Sequence, residues 1–230
     1  MTIKINKKQV IVALDLDSFE ETEEILKFLD PNLYRVKIGK QLFMNSGPEI
    51  VRKIQALGFD IFLDLKLHDI PNTVKKSIKG LTNLPIKMIT IHISGGKDMM
   101  VAAMEAVSGT NIKVFGVTAL TSLNDNDTNK IYQRNASDHV NAMLDLAESA
   151  AIDGVVCSPH ELDLVSKRES LLSITPGIRF KDLNDDQSRV MSPEEAINLG
   201  ANYLVIGRPI TQSDNILGTL EHIFNKINNS

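Results

Sequence analysis

The chain has 230 residues, of which 43% are hydrophobic and 23% are charged. This length and composition suit a globular protein with an ample core, folded as one large domain or two small ones. The formal net charge of −4 comes without a long block of like charge, which argues against a nucleic-acid partner. No apolar stretch reaches the roughly 18 residues of a membrane span, and the N-terminus lacks the apolar core of a signal peptide. We therefore expect a cytoplasmic protein with no membrane partner.

Apolar runs that are typical of buried strands alternate with amphipathic segments along the chain. The predicted strands are residues 10–16, 34–38, 59–65, 88–93, 114–118, 154–157, 171–175 and 203–206. The predicted helices include residues 20–29, 49–57, 99–107, 142–151 and 194–199. Two polar stretches, residues 121–135 and 177–192, are predicted to be functional loops. Eight strands with regular crossovers predict a single (β/α)8 TIM barrel over residues 1–230, rather than an open doubly wound sheet.

The most informative segment is DLKLHDIPNT, residues 64–73, which closes the third predicted strand. Because alternate residues of a strand share a face, Asp64 and Lys66 should point the same way. Asp69 follows just after the strand. Two carboxylates that bracket one ammonium are costly to build in a poorly solvated place, which favours a functional array. A structural alternative is an ion pair at a strand end, with Asp69 capping a helix that begins near Pro71.

Further polar residues are predicted at the same mouth, because the C-terminal ends of all the strands converge there in a barrel. Lys37 closes the second buried strand and needs a charge partner, which Asp64 or Asp15 can supply. His92 closes the fourth strand, where a buried, hydrogen-bonded histidine is the commoner interpretation than a catalyst.

The loops after strands 7 and 8 are the usual phosphate-binding place in such barrels. Gly177 and Gly207 would let a phosphate approach backbone N–H groups, and Arg179 and Arg208 would supply positive charge. The alternative is that both arginines are surface residues with carboxylate partners. Metal sites of the Cys/His type are not indicated, since the five histidines form no H-x-x-x-H pattern. The single cysteine, Cys157, is predicted to be a small buried hydrophobe.

Residues 64–73 resemble the signature of the orotidine 5′-phosphate decarboxylase family, whose members form uridine monophosphate in pyrimidine synthesis. Weaker matches to the same family follow in the right order over nearly the whole chain. They are residues 13–15, 36–39, 92 with 95–96, 120–122, 176–179, 186–190 and 206–209.

The resemblance implies a role for each matching residue. Lys66 would protonate C6 of the pyrimidine after CO2 is lost, with Asp64 and Asp69 keeping it charged, and no cofactor or metal would be needed. The implied substrate contacts are Asp15 and Lys37 to the ribose, Thr121 and Ser122 to the pyrimidine, and Arg179, Gln187, Gly207 and Arg208 to the phosphate. Lys37 would also join the charge array. Asp69 and Thr73 would enter the site of a partner subunit, so the enzyme would be a homodimer.

Two other functions share part of this pattern. A magnesium-dependent barrel enzyme of the hexulose-phosphate synthase type also carries D-x-K-x-x-D, but it would want further carboxylates as metal ligands. Residues 67–73 argue against that enzyme. A catalytically inactive barrel that only binds nucleotides is disfavoured by the intact alternation of charge in residues 64–69.

Overall fold

The structure is a computed structural model that describes residues 8–120, 122–123, 125–179 and 191–228. Eight parallel strands form a closed barrel in chain order, with the first strand paired to both the second and the last. The strands are β1 (Val10–Leu14), β2 (Tyr34–Gly39), β3 (Asp60–Leu67), β4 (Met88–His92), β5 (Lys113–Val117), β6 (Gly154–Val156), β7 (Leu172–Thr175) and β8 (Tyr203–Ile206). The predicted (β/α)8 barrel is confirmed, and all the C-terminal strand ends share one mouth.

Helices cover the outside of the barrel. Most of them join successive strands, and the last two follow β8. Those of the described ranges are α1 (Phe19–Leu26), α2 (Lys40–Ser46), α3 (Glu49–Ala56), α4 (Pro71–Leu81), α5 (Lys97–Val107), α6 (Asp125–Tyr132), α7 (Ala136–Ser149), α8 (Leu162–Val165), α9 (Pro193–Asn198), α10 (Arg208–Thr211) and α11 (Ile216–Asn228). Within those ranges, no helix combines the length and the apolar character that crossing a membrane requires.

The hydrophobic core lies in two layers on either side of the barrel wall. Outside the wall, strand residues such as Val12 and Leu63 pack against helix residues such as Val74 and Ile78. The inner layer is formed by Ile11, Ala13, Phe62, Met88, Phe115, Ile174 and Val205. This division follows from the two-residue period of a strand. On several of these strands, the inward-facing residue two positions further toward the mouth is polar. These polar residues form the site.

Several predicted boundaries are wrong. β1 stops at Leu14 rather than at residue 16, because its pairing with β2 ends there. Part of the predicted loop 121–135 is helical: α6 has Asp125 and Asp127 in its first turn and buries Thr128. A helix with so few apolar positions has no clear stripe in its sequence. α7 begins at residue 136 rather than 142, because the Asn135 side chain caps it.

Candidate active site

Four side chains of alternating charge form a connected line at the mouth of the barrel. Nζ of Lys37 lies 2.7 Å from Oδ1 of Asp15 and 3.6 Å from Oδ2 of Asp64. Nζ of Lys66 lies 2.6 Å from the same Asp64 oxygen. Lys37 and Asp64 are buried, whereas Lys66 is half-buried and Asp15 is exposed. The structure therefore brings together four of the residues that the sequence singles out.

We call this line of four side chains the charge line. Its Asp64–Lys66 end lies where β3 departs from regular geometry. Asp64 and Lys66 face the barrel interior while Leu65 packs in the outer core layer, as the strand period predicts. The pairing of β3 with β4 shifts register between Leu63 and Leu67. Lys66 itself has a φ of +50°, in the left-handed region that is costly for a residue with a Cβ. Backbone strain of this kind clusters at functional sites.

The ionisation of Asp64 is set by two opposed effects. Burial would raise the pKa of its carboxyl group, because the charged form is poorly solvated. The ammonium groups of Lys37 and Lys66 oppose burial, and hydrogen bonds from Lys66 and Thr90 add to them. The net result is a pKa below the ordinary value, so Asp64 carries a negative charge at neutral pH.

The charge line opens into a cavity of about 280 Å³. Its walls differ in character around the barrel. β1 to β3 contribute the charge line, and the ends of β5 and β6 contribute the apolar residues Val117, Ala119, Leu120 and Val156. The segments that follow β7 and β8 contribute two arginines. A mostly apolar pocket with a few converging charged groups is typical of a small-molecule site.

Arg179 is the arginine that follows β7, and it is buried at the cavity. Its Nη1 donates a hydrogen bond to the carbonyl oxygen of Ile178 at 2.9 Å. Its backbone N–H donates to the carbonyl oxygen of Met191 at 3.0 Å. Gly177, just before it, has a φ of +79°, a conformation that favours glycine. The alternative of a surface location is therefore wrong for Arg179.

Arg208 follows β8 as the first residue of α10, and it also lines the cavity. The preceding residue is Gly207, where a Cβ atom would lie 3.3 Å from the Cβ of Ala13. That contact is tight, so glycine lets β8 pass close to β1 at the cavity wall.

Three of the predicted site residues lie outside the cavity lining of their own chain: Asp69, Thr73 and Ser122. Asp69 is exposed, and it makes no ion pair with the residues that the structure describes. Its Oδ1 accepts the N–H of Ile70 at 2.7 Å. Ile70 is the N-cap of α4 and no side chain caps that helix, so Asp69 is not its cap. Thr73 is exposed in the first turn.

The structure leaves two predicted contacts undescribed, because they fall outside its described residues: Thr121 and Gln187. Within the described ranges, no group of three or more His, Cys, Asp or Glu side chains could hold a metal ion. Cys157 is buried against the cavity, and burial raises the pKa of its thiol far above the ordinary value. The prediction of a small buried hydrophobe is confirmed.

His92 lies at the end of β4, half-buried, with its ring centroid 5.1 Å from that of His68. Desolvation lowers its pKa, and the nearby basic groups His68, Lys40 and Lys66 lower it further, to about 4. His92 is therefore neutral at physiological pH.

Sequence reasoning missed Thr90, which is completely buried beneath the charge line. Its Oγ1 donates a hydrogen bond to Oδ1 of Asp64 at 2.9 Å and accepts one from the N–H of Lys66 at 2.8 Å. A signal was present in the sequence. Thr90 is a polar residue in an apolar run, and it shares the inward parity of Met88, which lies in the inner core layer.

A closed barrel with a line of alternating charges at its C-terminal mouth, buried at its centre, defines an enzyme of the (β/α)8-barrel class. The family described as "Orotidine 5'-phosphate decarboxylase / HUMPS family" has a sequence profile that matches residues 8–223. The chain belongs to this family.

Individual relatives agree with the family profile. Orotidine 5′-phosphate decarboxylase of Saccharophagus degradans is 47% identical over 227 residues, which cover 96% of this chain and 95% of the relative. The enzyme of the same name from Wigglesworthia glossinidia brevipalpis is 45% identical, and the alignment covers 96% of this chain and 97% of that enzyme. The crystal structure of orotidine 5′-phosphate decarboxylase from Lactobacillus acidophilus aligns with a TM-score of 0.84 at 36% identity, over 96% of this chain and all of that one.

Proposed function

We propose that this chain decarboxylates orotidine 5′-phosphate to uridine 5′-phosphate and CO2, the last step of de novo UMP synthesis, in the cytoplasm and without a cofactor. The observation that carries the proposal is the charge line itself. Asp15, Lys37, Asp64 and Lys66 alternate in sign and open into a cavity. Relatives that carry the decarboxylase name at 41–47% identity support the choice of reaction.

The chemical step breaks the bond between C6 of the pyrimidine and the carboxylate carbon. CO2 leaves, and the electron pair of that bond stays on C6 as a carbanion with no good electron sink in the ring. The Lys66 ammonium stabilises this charge because it is already in place when the charge develops. A proton then moves from Nζ of Lys66 to C6, and water restores the proton to the lysine.

Asp64 has two roles in this proposal. Its carboxylate holds the Lys66 ammonium through a 2.6 Å contact, so that the proton donor is oriented before substrate arrives. It would also lie against the carboxylate of the substrate, and repulsion between the two negative charges would raise the energy of the ground state. Lys37 balances the buried charge of Asp64 from the other side.

The remaining contacts bind the substrate at a distance from C6. Binding energy from such remote groups can be used to order the reacting centre. Arg179 and Arg208 both line the cavity, on the side that the loops after β7 and β8 form. We assign the ribose to Asp15 and Lys37, the pyrimidine to Thr121 and Ser122, and the phosphate to Arg179, Gln187, Gly207 and Arg208.

We further propose a homodimer in which Asp69 and Thr73 complete the site of the partner subunit. Asp69 is exposed, lies outside the cavity lining of its own chain and forms no ion pair with the described residues. Next to it in the chain, the apolar side chain of Ile70 is 66% exposed. A large exposed apolar side chain beside an uncompensated carboxylate is what an interface would cover.

The test is a direct assay that follows the loss of orotidine 5′-phosphate by ultraviolet absorbance, with and without EDTA. We expect turnover to uridine 5′-phosphate that EDTA does not change. Substrate that binds without turnover would indicate an inactive nucleotide-binding barrel. No turnover of the nucleotide, with magnesium-dependent conversion of a sugar phosphate instead, would indicate an enzyme of the hexulose-phosphate synthase type.

A further inference from the structure

One buried hydroxyl group joins Asp64 and Lys66, the two members of the charge line that lie on β3. Oγ1 of Thr90 on β4 lies 2.9 Å from Oδ1 of Asp64 and 2.8 Å from the backbone nitrogen of Lys66 on β3. The threonine is completely buried, so water cannot replace either contact without a rearrangement of the strands. Thr90 does not line the cavity, and it acts only through these two residues.

The direction of both hydrogen bonds is fixed by the groups involved. A backbone N–H can only donate, so the Thr90 oxygen accepts from Lys66. An ionised carboxylate can only accept, so the hydroxyl proton points to Oδ1 of Asp64. The other carboxylate oxygen, Oδ2, is thereby left for the ammonium groups of Lys37 and Lys66.

The contact to Lys66 addresses a second problem, which is the irregular backbone of β3. Lys66 has a φ of +50°, and the register with β4 shifts around it. A buried N–H that leaves the regular ladder needs another acceptor, because an unpaired one is unfavourable. The Thr90 hydroxyl is that acceptor, so it stabilises the left-handed conformation that directs the Lys66 side chain toward Asp64.

We propose that Thr90 is a positioning residue of the decarboxylation reaction, which keeps the Asp64 carboxylate and the Lys66 backbone in the geometry that aims the ammonium at the substrate. The proposal rests on the function proposed above. It predicts that the hydroxyl group matters and that the methyl group does not.

The variants Thr90→Val and Thr90→Ser separate these two groups. Valine keeps the shape of threonine and removes the hydroxyl, whereas serine keeps the hydroxyl. We expect kcat to fall roughly tenfold to a hundredfold in Thr90→Val, as the loss of a hydrogen bond to a charged group would give, with a smaller change in KM. Thr90→Ser should stay within about threefold of the wild type.

Thr22→Val is the matched control. Thr22 is completely buried on α1, and its hydroxyl donates to the carbonyl oxygen of Ser18 at 2.8 Å, away from the cavity. The control loses a buried hydroxyl and should keep the wild-type kcat. If Thr90→Val does not fold, Thr90→Ala serves in its place, with the folded fraction measured by near-ultraviolet circular dichroism.

The pH profile provides a readout that a purely structural role would not move. Loss of the Thr90 hydrogen bond removes one of the effects that lower the pKa of Asp64. The acidic limb of kcat/KM should therefore move to higher pH in Thr90→Val and stay in place in Thr90→Ser and in Thr22→Val. An unshifted limb with an unchanged kcat in correctly folded Thr90→Val would overturn the proposal, and so would equal damage in the valine and serine variants.

A crystal structure of Thr90→Val keeps this proposal separate from the proposed function. We expect the φ of Lys66 to leave the left-handed region, or its Nζ to move away from Oδ2 of Asp64. If the wild type fails to convert orotidine 5′-phosphate, the proposed reaction is wrong, but the crystal structure still tests the positioning. Unchanged Lys66 and Asp64 geometry would contradict it whatever the reaction.

Discussion

Nζ of Lys66 contacts Oδ2 of Asp64 at 2.6 Å, across a stretch of β3 whose backbone is not that of a regular strand. Alternate side chains of a regular strand share a face, but their Cα atoms stand about 6–7 Å apart. Within this stretch Lys66 is in the left-handed conformation, and its long side chain spans the distance to the carboxylate. An ammonium that is held in this way needs little rearrangement to serve as the proposed proton donor when substrate binds.

Replacing Arg208 with alanine should weaken binding of the phosphate group more than it slows the chemical step. A charge-assisted hydrogen bond contributes roughly 1.5–3 kcal/mol, so KM should rise at least about tenfold. Arg168→Ala is the control, because Arg168 pairs with Asp145 and Glu148 outside the cavity. Steady-state kinetics measure KM and kcat for both variants. A KM for Arg208→Ala equal to that of the control would remove Arg208 from the phosphate site.

His92 should make the folded state less stable as the pH falls. Its pKa is about 4 in the folded protein and near 6.5 when unfolded, so the unfolded chain binds the proton first. The free energy of unfolding should therefore decrease as the pH falls from above 6.5 toward 4. His92→Gln should flatten this dependence, whereas His160→Gln, at an exposed position, should not. Urea unfolding at pH 7.5 and pH 5.0 measures the free energy of unfolding at each pH. An equal loss of this free energy between the two pH values in wild type and in His92→Gln would contradict the prediction.

Much of the site could be predicted because strand periodicity acts locally. Asp64 and Lys66 lie two residues apart, and the need of buried Lys37 for a carboxylate follows from burial alone. Thr90 could not be paired with Asp64 in the same way. Its contact joins two neighbouring strands, β4 and β3. It depends on the register shift between them, which no local sequence pattern encodes. The sequence does not predict α6, because its residues are almost all polar. The start of α7 is set by the Asn135 cap, and the hydrophobic pattern does not show it.

The shared-site proposal predicts that two inactive chains can complement each other. A Lys66→Ala chain and an Asp69→Asn chain should each be nearly inactive as homodimers. After reversible dissociation and mixing, each heterodimer has one doubly damaged site and one intact site. Random mixing makes about half of the dimers mixed, so about a quarter of all sites should recover under two-fold symmetry.

The control for this mixture pairs Lys66→Ala with Asp64→Asn. Asp64 contacts Lys66 within one chain, so no combination of these two chains can assemble an intact site. Heterodimers would be verified by mass spectrometry in both mixtures. Activity of the Lys66→Ala and Asp69→Asn mixture that stays at the level of the control would show that Asp69 does not act across the interface.

The most direct test of the central claim is the turnover of orotidine 5′-phosphate by Lys66→Ala, with Lys27→Ala as the control. Lys27 is an exposed lysine that pairs with Glu24 on the outside of the barrel. The fold should survive in Lys66→Ala, because Asp64 keeps Lys37 as a partner at 3.6 Å, and circular dichroism would verify this. We expect no measurable turnover in Lys66→Ala and wild-type turnover in the control. Near-normal turnover in folded Lys66→Ala would contradict the assignment of Lys66 as the proton donor, and with it the mechanism proposed for the charge line.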